Sequence, residues 1–377
     1  MERVFDVTGF GAAGDGVFDS TNAFQTAIDK AAEVKGAVVV PPGVYICGRL
    51  QMYPSVCMKG YKGWGYRETG GSVIKLKDGE NLCLIDMSGA FGACIRDIQL
   101  LGDHCSGKNV HGVYVKWDDQ ESRLHDTLER EDNAIPEDTH IGFREDSVTV
   151  DGCHIKNFSG DAIHFEKIWA FAVKDSMLAS NRGNGVYIKG WDGWIRNCIM
   201  YCNRGAAIYS DYICAAVTII GNRIEWNHGG GIDLSGGRQL QITGNYFDRS
   251  YGPAIKLVGR HFPCDNIAAT ANYFNRSGKY KKSFGDDPYG NCHLYFDNCK
   301  ALAFTGNTFS AGRDDFGTGN LSPEYGIVYR GLEDCVISGN TFYNAATKRL
   351  TVDLGGNSGE NVIENNPGKL FIEENEQ

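Results

Sequence analysis

The sequence predicts an all-β protein wound as a right-handed parallel β-helix, with one amphipathic helix capping its N-terminal end. Three observations predict it. A pentapeptide returns almost unchanged as TGNYF at 243–247, TGNTF at 305–309 and SGNTF at 338–342, with looser copies IGNRI at 220–224 and TANYF at 270–274. The segments between copies alternate apolar and polar residues over short runs, without the 3.6-residue period of a helix. Glycine supplies 49 of 377 residues and proline only 9, which suits a chain that turns often.

The first element is a strand and Gly-Asp-Gly turn, followed by a helix. In FDVTGFGAAGDGVFDSTNAFQTAIDKA, Ser20 or Thr21 is placed to cap the helix, and Ala23, Phe24, Ala27 and Ile28 form its apolar face. That face is suited to plug the open end of a solenoid, which otherwise exposes an unpaired coil. The coils follow. In 216–238, AVTIIGNRIEWNHGGGIDLSGGR, a strand (VTII) meets Gly-Asn, then a second strand (RIEW), a glycine turn and a third strand (IDLS). Segments 83–100, 148–166, 171–189 and 194–211 keep this grammar without the asparagine. The whole chain reads as one domain over 1–377: cap and first strands at 1–50, coils at 51–365, and a tail at 366–377.

The asparagine is expected to take the left-handed conformation at each corner and to hydrogen-bond its copies above and below. The apolar residue two positions on (Ile224, Phe247, Phe274, Phe309, Phe342) is expected to stack in the core. Insertions at 117–142, 276–290 and 311–325 are expected to be loops on the side of the solenoid.

Within this frame the N-terminal segment, with GAVVVPPGVY behind it, resembles the opening of the pectate-lyase-like superfamily. The pattern is strand, Gly-Asp-Gly turn, capped helix, then Gly-x-Val-x-x-Pro-x-Gly-x-Tyr. The resemblance implies the β-helix fold but no single reaction, because that superfamily holds lyases, hydrolases, epimerases and phage tailspikes. It also implies that the strand after the glycine turn carries the active-site wall.

Aligning that strand on the inward residues Val113, Ile163, Val186, Ile208, Ile232 and Ile255 leaves two outward columns. The first reads Tyr114, His164, Tyr187, Tyr209, Asp233, Lys256. The second reads Lys116, Glu166, Lys189, Asp211, Ser235, Val258. Aromatic rings beside carboxylates suit an oligo- or polysaccharide, because rings stack on the apolar faces of sugars. Asp211 and Asp233 fall on adjacent coils, about 8 Å apart at Cα, and Glu166 lies about 9.6 Å from Asp211. Inverting glycosidases place acid and base about 6.5–9.5 Å apart. The expected function is therefore cleavage or transfer of a glycosidic bond by Asp211 and Asp233, with Glu166 in reserve. Two alternatives stand beside it: a polysaccharide lyase using Lys189 or a tyrosine, and a non-catalytic glycan-binding protein of the tailspike kind.

GWDGW at 190–194 is expected in a turn beside the wall, with Trp191 and Trp194 as a platform and Asp192 as a polar contact. His228 is expected at the opposite rim. Glu225 and Asp248 form a second, competing pair on the strand after the corner, with Arg223 or Arg249 as neutralising partners. β-helix inulin fructotransferases have a carboxylate three residues after the corner asparagine, as Glu225 follows Asn222. That likeness implies a catalytic role for Glu225 and a homotrimer with its site at subunit contacts.

The net charge of −10 argues against nucleic acid and anionic membranes as partners. The 13 cysteines form no zinc or disulfide pattern and are expected to be reduced and mostly buried. No phosphate-binding loop and no paired-aspartate calcium arrangement appear, so neither metal nor cofactor is expected. The opening MERVFDVTGFG lacks an apolar signal core, and a cytoplasmic location is expected.

Overall fold

Strands after the first helix follow one another in a fixed order. In one coil, Cys214–Ile220 leads to Arg223–Glu225 and then Gly230–Leu234. The next coil repeats this as Gln241–Thr243, Tyr246–Asp248 and Ile255–Val258, each strand pairing in parallel with its predecessor. The computed structural model describes residues 3–61, 65–66, 70–103, 107–116, 146–279 and 287–372. Among these the strands form a 22-stranded and a 12-stranded sheet, the smaller built from the short strands after the corner. The result is the right-handed parallel β-helix that the repeat predicts.

Asparagine ladders hold the corner. Asn222, Asn245, Asn272, Asn307, Asn340 and Asn366 are joined head to tail, each Nδ2 donating to the next Oδ1 at 2.9–3.0 Å. Each Oδ1 also accepts the backbone N–H of the preceding asparagine. The left-handed residue is not the asparagine but the one before it: Gly221, Gly244, Ala271, Gly306 and Gly339 have φ of 55–68°. Glycine recurs there because it takes positive φ without a Cβ penalty. The asparagine recurs because its amide matches the coil spacing.

A second ladder, Asn181–Asn203–Asn227, runs along another corner with Nδ2–Oδ1 distances of 2.9 Å. The repeat Asn-Arg-Gly, Asn-Arg-Gly, Asn-His-Gly at spacings of 22 and 24 carried that signal.

The core runs the length of the coil. Phe247, Phe274, Phe309 and Phe342 stack with centroids 5.0, 4.8 and 4.7 Å apart, all buried. Such pairs add about 0.5–1.5 kcal/mol each beyond their area burial. The helix Thr21–Val34 lays Ala23, Phe24, Ala27, Ile28 and Ala31 on the first coils, Phe24 meeting Tyr45 edge-on at 5.3 Å. Its cap differs from expectation. Ser20 holds the N-cap position, but its hydroxyl is engaged by Ala13, and Asp19 Oδ1 accepts from the Thr21 backbone and hydroxyl instead.

The insertion at 117–142 lies outside the described residues. The strands Ile163–Lys174 and Val186–Arg196 each run from the wall straight into the next coil. GWDGW is therefore part of a strand and not a turn, bent at Asp192 by a φ of 57°. The 12 described cysteines form no disulfide, and nine of them are buried.

Candidate functional site

Parallel register decides which side chains share the wall. Val113, Ile163, Val186, Ile208, Ile232 and Ile255 pair coil to coil and are buried, as inward residues must be. Their neighbours Tyr114, His164, Tyr187, Tyr209, Asp233 and Lys256 pair in the same way and face out. The column continues beyond its expected ends, to Asp86 before Tyr114 and to Tyr295 after Lys256.

The rings stack along the axis. His164 lies flat between Tyr187, at 4.3 Å with an interplanar angle of 4°, and Tyr114, at 5.5 Å and 13°. Tyr209 follows Tyr187 at 6.1 Å. The Tyr187 hydroxyl donates to Asp211 Oδ1 at 2.9 Å. Burial, and then this carboxylate, push the Tyr187 phenol far above its ordinary range, so the hydroxyl acts as a donor. Tyr114 is pushed up to about 12 by burial, with Glu166 and Asp86 adding to it.

Asp233 accepts from Lys256 Nζ at 3.0 Å. Burial pushes its carboxyl up, against the downward pull of Lys256 and Arg260. Asp211 lies just past the end of the strand Ala206–Ser210 and is exposed. The second column is therefore continuous only from Lys116 through Glu166 to Lys189. Glu166 lies 3.6 Å from Lys116, while Lys189 sits over the Tyr212 ring at 5.5 Å.

Outside this column the expected contacts separate. Trp194 is half exposed, and Trp191 lies 6.2 Å from Trp169. Asp192 accepts the Trp169 indole N–H at 2.6 Å, so its carboxylate is engaged within the protein. His228 is exposed and stacks on Tyr251 at 4.2 Å, and partial desolvation, with the charges of Arg204 and Lys279, lowers its pKa.

Glu225 stands on the other sheet, paired with Asp248 as expected. It points away from the coil axis yet is covered, at 1% exposure. Arg223 reaches it at 2.8 Å, and Arg249 and Arg276 each meet Asp248 at 2.7 Å. Arg249 also lies over the Trp226 ring at 3.8 Å. Tyr66, Tyr201, Cys202, Arg223, Glu225 and Trp226 line a cavity of about 520 Å³ here. Glu225 thus belongs to a cluster of two carboxylates and three arginines apart from the wall.

Two residues of the wall's lower edge escaped the sequence reading. Asp161 Oδ2 lies 2.8 Å from His164 Nδ1. Asp161 Oδ1 accepts from the Asn184 backbone N–H and side-chain amide at 2.5 and 2.8 Å. His111 sits 4.2 Å from His164, ring to ring, and burial lowers its pKa to about 4. The signal available was the close spacing in GDAIH, where Asp161 in the turn precedes His164 by three residues.

Residues 139–301 match the family model described as a right-handed β-helix region, and residues 4–63 match the model described as rhamnogalacturonase A/epimerase, pectate lyase-like. The fold is a right-handed β-helix, and its opening segment is similar to the pectate-lyase-like family. Solved structures agree on the fold of this β-helix. A DFA-IIIase from Arthrobacter chlorophenolicus A6, crystallised with GF2, superposes with a TM-score of 0.61 at 13% identity, covering 97% of this chain and 99% of that one. The A-module of the mannuronan C-5 epimerase AlgE4 from Azotobacter vinelandii gives 0.55 at 16% identity, over 97% and 99%. The enzymatically active domain of tailspike protein 2 from bacteriophage CBA120 gives 0.53 at 12% identity, over 91% of this chain and 43% of that one. A curated relative described as a non-secreted LysM effector of Penicillium expansum is 31% identical over 121 residues, which is 32% of this chain. The match spans only 10% of that relative's length.

Proposed function

We propose that this β-helix is a carbohydrate-active enzyme that binds an oligo- or polysaccharide along the outward wall and cleaves or transfers a glycosidic bond there. The observation that carries the reading is the shared column. Three tyrosines, a histidine and a carboxylate–lysine pair stand in register on consecutive coils, and Asp211 is held by the hydroxyl of one of those tyrosines. A linear glycan lying along the axis meets the edges of four rings on successive coils, about 4.8 Å apart, and then the Asp233–Lys256 pair.

The chemistry follows from the two aspartates. Asp211, exposed and hydrogen-bonded by Tyr187, is suited to take a proton from the attacking hydroxyl or water. Asp233, its carboxyl pushed up by burial, is suited to give a proton to the leaving oxygen. Lys256 then takes the role of charge partner once Asp233 has lost its proton. Tyr187 does not serve as a base in this reading, because its pKa is raised and a tyrosine base needs the reverse.

The test is a panel of oligo- and polysaccharides with two detectors. New reducing ends, or transfer products, without an unsaturated-sugar absorbance support the reading. Unsaturated product overturns it in favour of elimination. Binding without any product overturns it in favour of a glycan receptor.

A further inference from the structure

We propose that His111, Asp161 and His164 form a binding site for one first-row divalent metal ion, with zinc the best fit. Each of the three offers a ligand atom, and those atoms all lie within 4.8 Å of one another. Asp161 Oδ2 is 2.8 Å from His164 Nδ1 and 3.5 Å from His111 Nδ1. Four-coordinate zinc with bonds of about 2.0–2.1 Å holds its ligand atoms about 3.4 Å apart, so the donors need only small shifts to converge. Two imidazoles with one carboxylate suit zinc, iron or manganese. Calcium and magnesium prefer all-oxygen sets.

The surroundings are those of a built site. Asp161 is fixed through its other oxygen by two hydrogen bonds from Asn184, the outer contact that orients a ligating carboxylate. Stacking between Tyr114 and Tyr187 fixes the His164 ring. His111 and Asp161 are at least nine-tenths buried, and His164 is half-buried at the foot of the wall, which leaves an approach for a fourth ligand from the open side. Without metal, the Asp161 backbone N–H donates to His111 Nδ1 at 3.0 Å, and this contact must yield when the ion binds. The glycan reading neither requires this site nor depends on it.

The test is zinc binding, measured apart from activity. Untagged protein, stripped with a chelator, is titrated with zinc chloride by calorimetry, with calcium chloride as the control. One saturable equivalent of zinc is expected, with a melting temperature that rises with free zinc. His111→Gln and Asp161→Asn are each expected to abolish it, and Asn184→Ala to weaken it by about 10–100-fold. Cobalt substitution is expected to give visible absorption without a thiolate charge-transfer band, which separates this site from the exposed Cys202. No saturable zinc uptake by the wild type overturns the proposal even if a variant fails to fold. Binding unchanged in His111→Gln, or a cobalt–thiolate spectrum, overturns it too. Glycan activity that persists through either result leaves the wall reading intact.

Discussion

Replacing Asn272 by alanine removes the middle rung of the longer asparagine ladder. Four hydrogen bonds go with it. Asn272 Nδ2 donates to Asn307 Oδ1 at 3.0 Å and to the Ile242 carbonyl at 2.8 Å. Its Oδ1 accepts the Asn245 backbone N–H and the Asn245 Nδ2, both at 3.0 Å. The residue is 2% exposed, so the two Asn245 donors are left buried. Each stranded donor costs about 1–3 kcal/mol, which gives a loss of about 2–6 kcal/mol. Asn366 provides the comparison. It accepts from Asn340 in the same way, but it is half-buried at the end of the ladder, where water replaces its bonds. Asn366→Ala is expected to cost about 1 kcal/mol or less. Urea unfolding followed by circular dichroism measures both. Hydrogen exchange adds a local reading, with the Asn245 amide losing protection in Asn272→Ala. Equal costs in the two variants, or an Asn245 amide as protected as in wild type, would refute the reasoning.

Other predictions follow from burial and charge. Burial pushes the Asp146 carboxyl up from its ordinary 3.8 to about 7, with the Trp169 backbone N–H donating to it at 2.8 Å. A raised folded pKa means that this contribution is fully present below about pH 4 and is lost as pH rises through 7. Asp146→Asn is expected to flatten that decline and to stabilise the protein above pH 7 by up to about 4 kcal/mol, read as the difference in unfolding free energy between pH 4 and pH 8. Phe274→Ala opens a cavity in the phenylalanine stack and is expected to cost about 3–5 kcal/mol by urea unfolding. Arg249→Ala leaves Asp248 and Glu225 short of a buried cation, with a loss of about 3–5 kcal/mol in the same measurement and no direct effect on the wall. Tyr187→Phe removes the donor to Asp211 and is expected to lower kcat more than it changes KM on whichever glycan is turned over, and a change in KM alone contradicts it.

The wall was legible because two independent patterns agree on its register. Buried Ile and Val residues recur at the coil length, and side chains alternate along each strand, so Tyr187, Tyr209 and Asp233 fall into line without any contact information. The corner was legible in position but not in mechanism. Gly and Asn recur as a pair, and only the backbone angles show that glycine makes the turn while asparagine makes the ladder. The pairing of Glu225 with Arg223 was legible, but its burial was not, because alternation gives the direction from the coil axis and not what lies over it. Tyr66 comes from a segment far away in sequence and helps to cover it. Asp161 and His111 escaped because a turn residue and a strand's first residue follow no repeat, although the coil stacks them beside His164. Asp211 was placed in a column that the strand no longer continues, because the period-2 count does not report where a strand ends.

The most direct measurement is the rate of glycan cleavage or transfer by wild type, Asp211→Asn and Asp233→Asn on the first polysaccharide that yields product. Loss of about 100-fold or more in kcat in each variant, with folding intact by circular dichroism, is the predicted result. Wild-type rates in both folded variants would show that bond cleavage happens away from this wall.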